Sequence, residues 1–135
     1  MNLSNHSIND RSKIKLLIAA LILSTVLEPV AVGAKENCKG NPRVVGSCFT
    51  VRGRLALYQG YPDIRMWWVG TNRIFGIAGG EGEEIIPDEI SEHIKDGIYI
   101  FGDYEVCLIS EHVQGHMQWI CIESGTRIRI EKWGR

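Results

Sequence analysis

Hydrophobic and polar residues alternate with a period of two over much of the chain that follows residue 48. In the stretch FTVRGRLALY, apolar residues at Phe49, Val51, Leu55 and Leu57 alternate with Thr50, Arg52, Arg54 and Ala56. This period is typical of strands with one buried face and one solvated face. Gly53 interrupts the run, and a glycine inside a strand usually marks a bulge or a sharp bend. The stretch therefore predicts a first strand whose outer face carries arginines.

Two further strands are predicted at short intervals. Residues 59–63, QGYPD, have the composition of a turn, and the stretch IRMWWV then resumes the alternation. Its predicted inner positions are Ile64, Met66 and Trp68, and its predicted outer positions are Arg65, Trp67 and Val69. After the tight turn GTN, the run RIFGI at residues 73–77 predicts the third strand.

The alternation stops in the glycine-rich and acidic stretch AGGEGEE at residues 78–84, which predicts a surface loop. The stretch IPDEISEHIKDG then predicts a short helix. Pro87 suits the first helical position, and Ile90 and Ile94 lie four residues apart on one helical face. Gly97 is expected to end the helix.

Alternation returns at residues 104–109 and 119–123, and a last alternating run, RIRIE at 127–131, extends the predicted sheet. Three strands, one helix and then two or three strands is the element order of an OB-type barrel, a five-stranded Greek-key barrel. We therefore predict a mainly β protein, a small OB-like barrel of five or six strands with one short helix between strands three and four. Because periodicity does not determine strand pairing, a lipocalin-like barrel or a sandwich stays open.

The first 34 residues differ in character from the rest. Three basic residues precede an apolar run at residues 16–27, and VGA follows at residues 32–34. A basic region, an apolar region of about 7–15 residues and a small-residue cleavage site are the features of a secretory signal peptide. The apolar run is shorter than the roughly 20 residues that a spanning helix needs, although an uncleaved anchor is the alternative. We predict a signal peptide at 1–34 and a single disulfide-bonded β-barrel domain at 35–135, periplasmic or secreted.

The charge and the cysteine content limit the class of partner and the cellular compartment that we expect. The chain holds 15 Lys+Arg and 16 Asp+Glu, a formal net charge of −1; the predicted signal peptide removes three basic and two acidic residues, which gives −2. A general polyanion binder would be strongly basic, so the composition argues against nucleic acid as the partner. All four cysteines follow residue 35, and an even number in a small exported domain predicts two disulfides.

The predicted strands favour one of the three possible cysteine pairings. If Cys107 faces Cys121 across an antiparallel hairpin, the apolar inner positions of the two strands also pair. Directly opposed strand residues meet the Cα separation of about 4.4–6.8 Å that a disulfide requires. The inner pairs in this register are Val106 with Ile122 and Leu108 with Ile120. This pairing leaves Cys38 and Cys48 to form the second bridge.

Catalytic chemistry has little support in the sequence. No serine has a nucleophile-elbow context and the cysteines are assigned to disulfides, so no catalytic residue is predicted. His112 and His116 have a spacing that suits zinc on a helix, but they flank Gly115 in a predicted hairpin tip. A third ligand would have to come from elsewhere, such as His93. We predict no metal and no cofactor, with a metal-dependent hydrolase as the enzymatic alternative.

The outer face of the first three strands is the strongest candidate for a binding site. Its candidate ligand-binding residues are Arg52, Arg54, Tyr58, Arg65, Trp67 and Arg73. Arginine forks match carboxylates and phosphates, and an exposed indole stacks on sugar rings or bases. The alternative is a merely solvated face, because long arginine stems also cover apolar surface.

Two stretches, CFTVRGRLALYQGYPDIRMWWVGTNRIFGI and FGDYEVCLISEHVQGHMQWICIES, resemble a group of small exported Gram-negative bacterial proteins of unassigned function. That group shares a Cys-strand-Gly-arginine opening, a YNG.P..RIW..GT.R.LG segment and a paired VC…VC near the end. The likeness covers about 80 residues, with YQG in place of the asparagine form at residues 58–60. The resemblance implies export and a structural role for Cys107 and Cys121, and it supplies no reaction.

These observations together predict a non-enzymatic exported binding or accessory domain. Its basic and aromatic sheet face would bind an anionic ligand, a carbohydrate or a partner protein. The alternative is a protein-interaction module, such as an inhibitor of a foreign hydrolase. That module would act through the acidic loop at residues 81–84 or the hairpin tip at residues 111–117.

Overall fold

The computed structural model describes residues 36–80 and 82–133, and the predicted signal peptide lies outside the described residues. The elements are β1 (Phe49–Leu57), β2 (Ile64–Trp68), β3 (Ile74–Ile77), α1 (Asp88–Ser91), β4 (Ile98–Leu108) and β5 (Gln118–Lys132). Within the described ranges, no helix is long and apolar enough to cross a membrane.

The five strands form one sheet that closes on itself in the order β1-β2-β3-β5-β4. The β3–β5 pair is parallel, and the other neighbours are antiparallel. A mainly β architecture with a helix between strands three and four is thus confirmed. The run at 127–131 is not a sixth strand but the C-terminal half of β5, and β4 begins at Ile98, earlier than the alternation at residue 104 predicted.

The helix is much shorter than predicted. Pro87 precedes α1 as its N-cap residue, and α1 ends at Ser91 after a single turn. Ile90 is buried in the core as expected, while Ile94 packs against the core from the turn that follows. The segment therefore packs apolar side chains onto the core and does not form an extended helix.

Gly53 does not form the predicted bulge. It pairs in register on both edges of β1, and the alternation of buried and outer residues continues through it. A Cβ at this position would lie 2.7 Å from the Met66 Sδ, so the glycine makes room for a buried neighbour. Register shifts occur instead in the β4–β5 pair, between Phe101 and Asp103 and between Glu105 and Val106.

Tyr104 fills the space that three glycines leave open in the core. A Cβ at Gly53, Gly102 or Gly125 would come within 3.0–3.1 Å of its ring. The ring is fully buried, and its hydroxyl donates a hydrogen bond of 2.9 Å to the carbonyl oxygen of Ile100. Burial raises the pKa of the Tyr104 phenol well above its ordinary value, because the phenolate would lose its hydration.

The predicted register of the β4–β5 hairpin is confirmed. Cys107 lies opposite Cys121, with the flanking apolar pairs Val106–Ile122 and Leu108–Ile120 as expected. The predicted bridges, however, are wrong. The disulfides join Cys38 to Cys121, with Cα atoms 5.3 Å apart, and Cys48 to Cys107, with Cα atoms 4.2 Å apart.

The reason for this error lies in the two edges of β4. Phe49 pairs with Val106 across the β1–β4 ladder, so Cys48, one residue earlier, meets Cys107 from that side. A strand inside a sheet has two neighbours, and a register argument made on one edge does not exclude the other. Cys38 then bridges to Cys121, and the two disulfides lie together in a second buried cluster with Ala78 and Ile85.

Candidate ligand-binding surface

The outer face of β1, β2, β4 and β5 carries a continuous row of side chains that we call the arginine–aromatic strip. Its members are Trp67, Arg54, Phe101, Tyr99, Arg129 and Trp133. The row follows from the register, since Arg54 lies opposite Trp67 on β2 and opposite Phe101 on β4. Phe101 in turn lies opposite Arg129 on β5. Directly opposed strand residues share a face, so the strip crosses four strands.

Arg54 is held between two aromatic rings at the centre of the strip. Its guanidinium carbon lies 4.2 Å from the ring centroid of Tyr99 and 4.9 Å from that of Trp67. Its Nη2 donates to the Tyr58 hydroxyl at 3.3 Å, whereas its buried Nε has no hydrogen-bond partner among residues 36–80 and 82–133. Cation–π contacts of this kind are worth about 0.5–2 kcal/mol each, depending on desolvation. Arg54 therefore helps to hold both rings in place.

Tyr99 and Trp133 form a parallel aromatic pair at one end of the strip. Their ring centroids are 5.8 Å apart and their planes differ by 9°. Phe101 meets the edge of the Tyr99 ring, and the Arg129 guanidinium lies 4.9 Å from the Phe101 ring. The side chain of Trp133 is 54% exposed, so this end of the strip is open to solvent.

A cleft of about 390 Å³ adjoins the Tyr99–Trp133 pair. Its walls combine aromatic rings with polar groups, and its lining residues are Ala56, Leu57, Tyr58, Gln59, Asp96, Tyr99 and Trp133. Small-molecule sites are concave, mostly apolar and contain a few polar groups that fix orientation. The cleft has this composition, and its volume lies within the range of about 300–1,000 Å³ that is typical of small-molecule sites.

Arg65 and Tyr58 lie beside the strip, as the sequence predicted, but Arg65 is largely committed to the chain itself. Its Nε donates to the Pro62 carbonyl at 2.8 Å and its Nη2 to the Gln59 carbonyl at 3.4 Å. The guanidinium also lies 5.0 Å from the Tyr58 ring centroid. Arg65 therefore fixes the β1–β2 turn that forms one wall of the cleft.

Arg52 lies on the same outer face, where it shares an acidic partner with a second arginine. Its Nη1 is 3.2 Å from Asp103, the residue directly opposite on β4, and Arg127 forms a second ion pair with the same carboxylate. The hydrogen bond from Arg127, followed by that from Arg52, holds the pKa of Asp103 below its ordinary value. Because the two arginines share one carboxylate, the cluster keeps one net positive charge, and the Arg127 side chain is 76% exposed.

Arg73 is not on this face, contrary to the prediction. It pairs with Trp68 at the end of the β2–β3 hairpin, and its guanidinium lies 5.0 Å from the ring centroid of the buried Phe75. It also donates a hydrogen bond to the Oε1 of Gln118. Arg73 shares the strand parity of Phe75, so it covers the end of the core instead of joining the strip.

Sequence reasoning missed four of the six strip residues, namely Tyr99, Phe101, Arg129 and Trp133. The signal was present: in IYIF, aromatic residues alternate with isoleucines, and Ile100 is the fully buried member. Large rings at the outer positions of a strand suggest a partner or a ligand. Neither the strand at residues 98–103 nor the pairing of residues 129–133 with it was predicted.

The hairpin tip and the acidic loop lie away from the strip. Residues 111–116, which include His112 and His116, are all exposed, and Val113 is 55% exposed. In the described part of the chain, one group of metal-ligating side chains lies within 4.8 Å, and its members Cys38, Cys107 and Cys121 are all in disulfides. The acidic loop is described except at residue 81.

A second, smaller aromatic pair lies outside the strip. Tyr61, from the β1–β2 turn, contacts Trp119 on β5 with ring centroids 5.4 Å apart. The β1–β2 turn and the end of the β4–β5 hairpin loop meet over Gly76. A Cβ at this position would clash with Pro62 and crowd Met117. Tyr61 is 73% exposed and offers a control for experiments on the strip, whereas Trp119 packs against the disulfide cluster.

Comparisons of the chain with protein-family models, with curated proteins and with solved structures found no match.

Proposed function

We propose that this protein is a non-enzymatic exported binding or accessory domain that binds a carbohydrate, neutral or anionic, on the arginine–aromatic strip and in the adjoining cleft. The observation that carries the proposal is the parallel Tyr99–Trp133 pair beside a cleft that also presents Gln59 and Asp96. Flat rings stack on the apolar faces of sugars, and side-chain amides and carboxylates bind sugar hydroxyls.

The state of the arginines favours a carbohydrate over a simple anion. Arg54 is stacked between rings, Arg65 is bonded to backbone carbonyls and Arg52 is paired with Asp103. Arg129 is the strip arginine with most of its side chain in solvent, and its nearest acidic partner is Glu131 at 3.2 Å. An acidic group on the ligand would therefore contact Arg129, while ring stacking would supply most of the affinity.

We further propose that the fold is a variant of the OB type and that the domain works outside the cytoplasm. The strand order and the helix between β3 and β4 support the first statement. An OB domain usually binds its ligand on strands two and three, whereas the strip lies on β1, β2, β4 and β5. Two disulfides in a domain of this size support the second statement, because such bonds persist in oxidising compartments.

The test is a two-dimensional amide NMR titration of the oxidised domain with peptidoglycan fragments, an acidic oligosaccharide and a short oligonucleotide, each at two salt concentrations. We expect shifts at Tyr99, Phe101 and Trp133 with a glycan, and only a weak salt dependence. The double variant Tyr99→Ala/Trp133→Ala should lose binding at least tenfold. The variant Tyr61→Ala, which removes a ring that is 73% exposed outside the strip, is the control and should bind normally. Binding that survives loss of Tyr99 and Trp133 would contradict the proposal.

A second candidate function is a protein-interaction module that acts through the hairpin tip. The supporting observation is Val113, a large apolar side chain that is more than half exposed at the end of a protruding loop. Loops of this kind can enter the cleft of a partner such as a hydrolase. In a panel of hydrolases, Val113→Asp should abolish inhibition under this hypothesis, whereas the Tyr99→Ala/Trp133→Ala variant should retain it.

A further inference from the structure

In the described part of the chain, the C-terminal half of β5 pairs with a strand along one edge and leaves its other edge unpaired. β5 pairs with β3 through Gln118 to Ile120 and with β4 through to Lys132. Within residues 36–80 and 82–133, the segment from Thr126 to Lys132 therefore has a strand partner on its β4 side alone. An open edge presents unpaired N–H and C=O groups that can pair with another chain.

The direction of these backbone groups can be read from the hydrogen bond just beyond the last pair of the β4–β5 ladder. The Trp133 N–H donates to the Gly97 carbonyl at 3.1 Å, so Trp133 directs its backbone groups toward β4. Backbone groups alternate in direction along an antiparallel strand. The N–H and C=O groups of Ile128, Ile130 and Lys132 consequently point toward the open edge.

Two isoleucine side chains of this segment are exposed to solvent. Ile128 is 38% exposed and Ile130 is 46% exposed, although both belong to an alternating strand. The order Arg129, Ile130, Glu131 is also self-complementary. If two copies pair antiparallel about Ile130, each Arg129 lies opposite the Glu131 of the other copy. Opposite charges stabilise such cross-strand pairs, and like charges destabilise them.

We infer that two copies of this chain associate through their β5 edges, antiparallel, with the two-fold axis at Ile130. The outward N–H and C=O groups of residues 128, 130 and 132 would form about six inter-chain hydrogen bonds, two for each closely spaced pair. The interface is isologous, as is usual for a two-fold dimer. The Arg127 backbone, with φ of 50°, limits the pairing to residues 128–132. This inference does not depend on the ligand of the strip.

The proposed pairing of Arg129 with Glu131 of the other copy can be tested by reversing each charge alone and then both together. The oxidised domain is studied by sedimentation velocity up to about 1 mM, which covers weak affinities. We expect a concentration-dependent dimer that Arg129→Glu or Glu131→Arg weakens at least tenfold. The double variant Arg129→Glu/Glu131→Arg should restore it. Arg43→Glu, at an exposed ion pair with Glu36, is the matched control and should dimerise normally.

A second measurement tests the backbone. Ile130→Pro removes an N–H that points toward the open edge and makes no bond to β4, so the fold should persist while the dimer is lost. In amide hydrogen exchange, the wild-type N–H groups of Ile128, Ile130 and Lys132 should become protected as concentration rises. A protein that stays monomeric throughout, a dimer insensitive to both Arg129→Glu and Ile130→Pro, or a double charge variant that fails to rescue would each overturn the inference.

Discussion

The two ends of the β4–β5 hairpin are built from different interactions. Near the tip, Cys107 and Cys121 are fully buried, and each is bonded through its sulfur to another segment of the chain. At the open end, Tyr99 and Trp133 meet by stacking, and part of the Trp133 ring is in solvent. Covalent bonds and burial fix the first end, whereas contacts of about 1 kcal/mol hold the second.

Under the proposed function, this difference would divide stability and binding between the two ends of the hairpin. A ligand surface needs groups that are positioned but still accessible, and such surfaces are commonly supported by a more rigid scaffold. The disulfide end and the glycine-lined Tyr104 supply that scaffold. The strip can then remain exposed with little loss in the free energy of unfolding.

The largest loss in the free energy of unfolding is expected when a disulfide near the tip of the hairpin is removed. The double substitution Cys48→Ala/Cys107→Ala removes a bridge across a sequence separation of 59 residues. It should lower the free energy of unfolding by about 2–5 kcal/mol, in part because the unfolded chain gains conformational freedom. Urea denaturation of the oxidised proteins measures the change, with Thr50→Ala on the outer face of β1 as control. A loss below about 1 kcal/mol would mean that the scaffold does not depend on this bridge.

A smaller loss is expected from Gly53→Ala between the two ends. The new Cβ would lie 2.7 Å from the Met66 Sδ and 3.0 Å from the Tyr104 ring, both fully buried. Overpacking of this kind costs about 1–3 kcal/mol. Thermal unfolding followed by near-ultraviolet circular dichroism reports the loss. An unchanged melting temperature would show that Met66 can move aside without cost.

The buried phenol predicts a loss of stability at high pH. Because burial raises the pKa of Tyr104 in the folded state, its contribution is intact below the unfolded value of about 10 and declines as pH rises above it. The free energy of unfolding should fall by up to about 1.4 kcal/mol per pH unit from this group. Urea midpoints between pH 8 and pH 11 measure the slope. Tyr104→Phe should reduce it, with Tyr61→Phe as the control, and equal slopes in all three proteins would contradict the assignment.

The smallest effect is expected at the open end. Trp133→Ala removes one ring of a partly exposed pair and should lower the free energy of unfolding by about 1 kcal/mol. The comparison variant is Phe75→Ala, which removes a fully buried ring and should cost about 3–5 kcal/mol. Chemical denaturation of both variants gives the ratio. Similar losses in the two would mean that the strip belongs to the structural core and not to an accessible surface.

The alternation of the sequence predicted the faces of the first two strands correctly. Val51, Leu55, Ile64 and Met66 are buried, and Arg52, Arg54, Arg65 and Trp67 lie on the outer face. It also predicted the register of the β4–β5 hairpin, because the apolar pairs and the cysteines agree on one alignment. Arg73 was assigned to the wrong face, since the short run RIFGI has isoleucines at both parities and does not show which side is inner.

The sequence by itself therefore determined which residues of β1, of β2 and of the paired part of the β4–β5 hairpin are inner and outer, because a strand alternates its side chains whatever its neighbours are. Only the tertiary structure decided which residues meet across the sheet. Cys107 has a neighbour on each side, and the β1 edge, not the hairpin, provides its sulfur partner. The same ring of strands brings Arg54, Tyr99 and Trp133 together from distant parts of the chain. Local patterns specify the faces of strands, and the strand order, set by the packing of one closed core, brings the residues of the arginine–aromatic strip together.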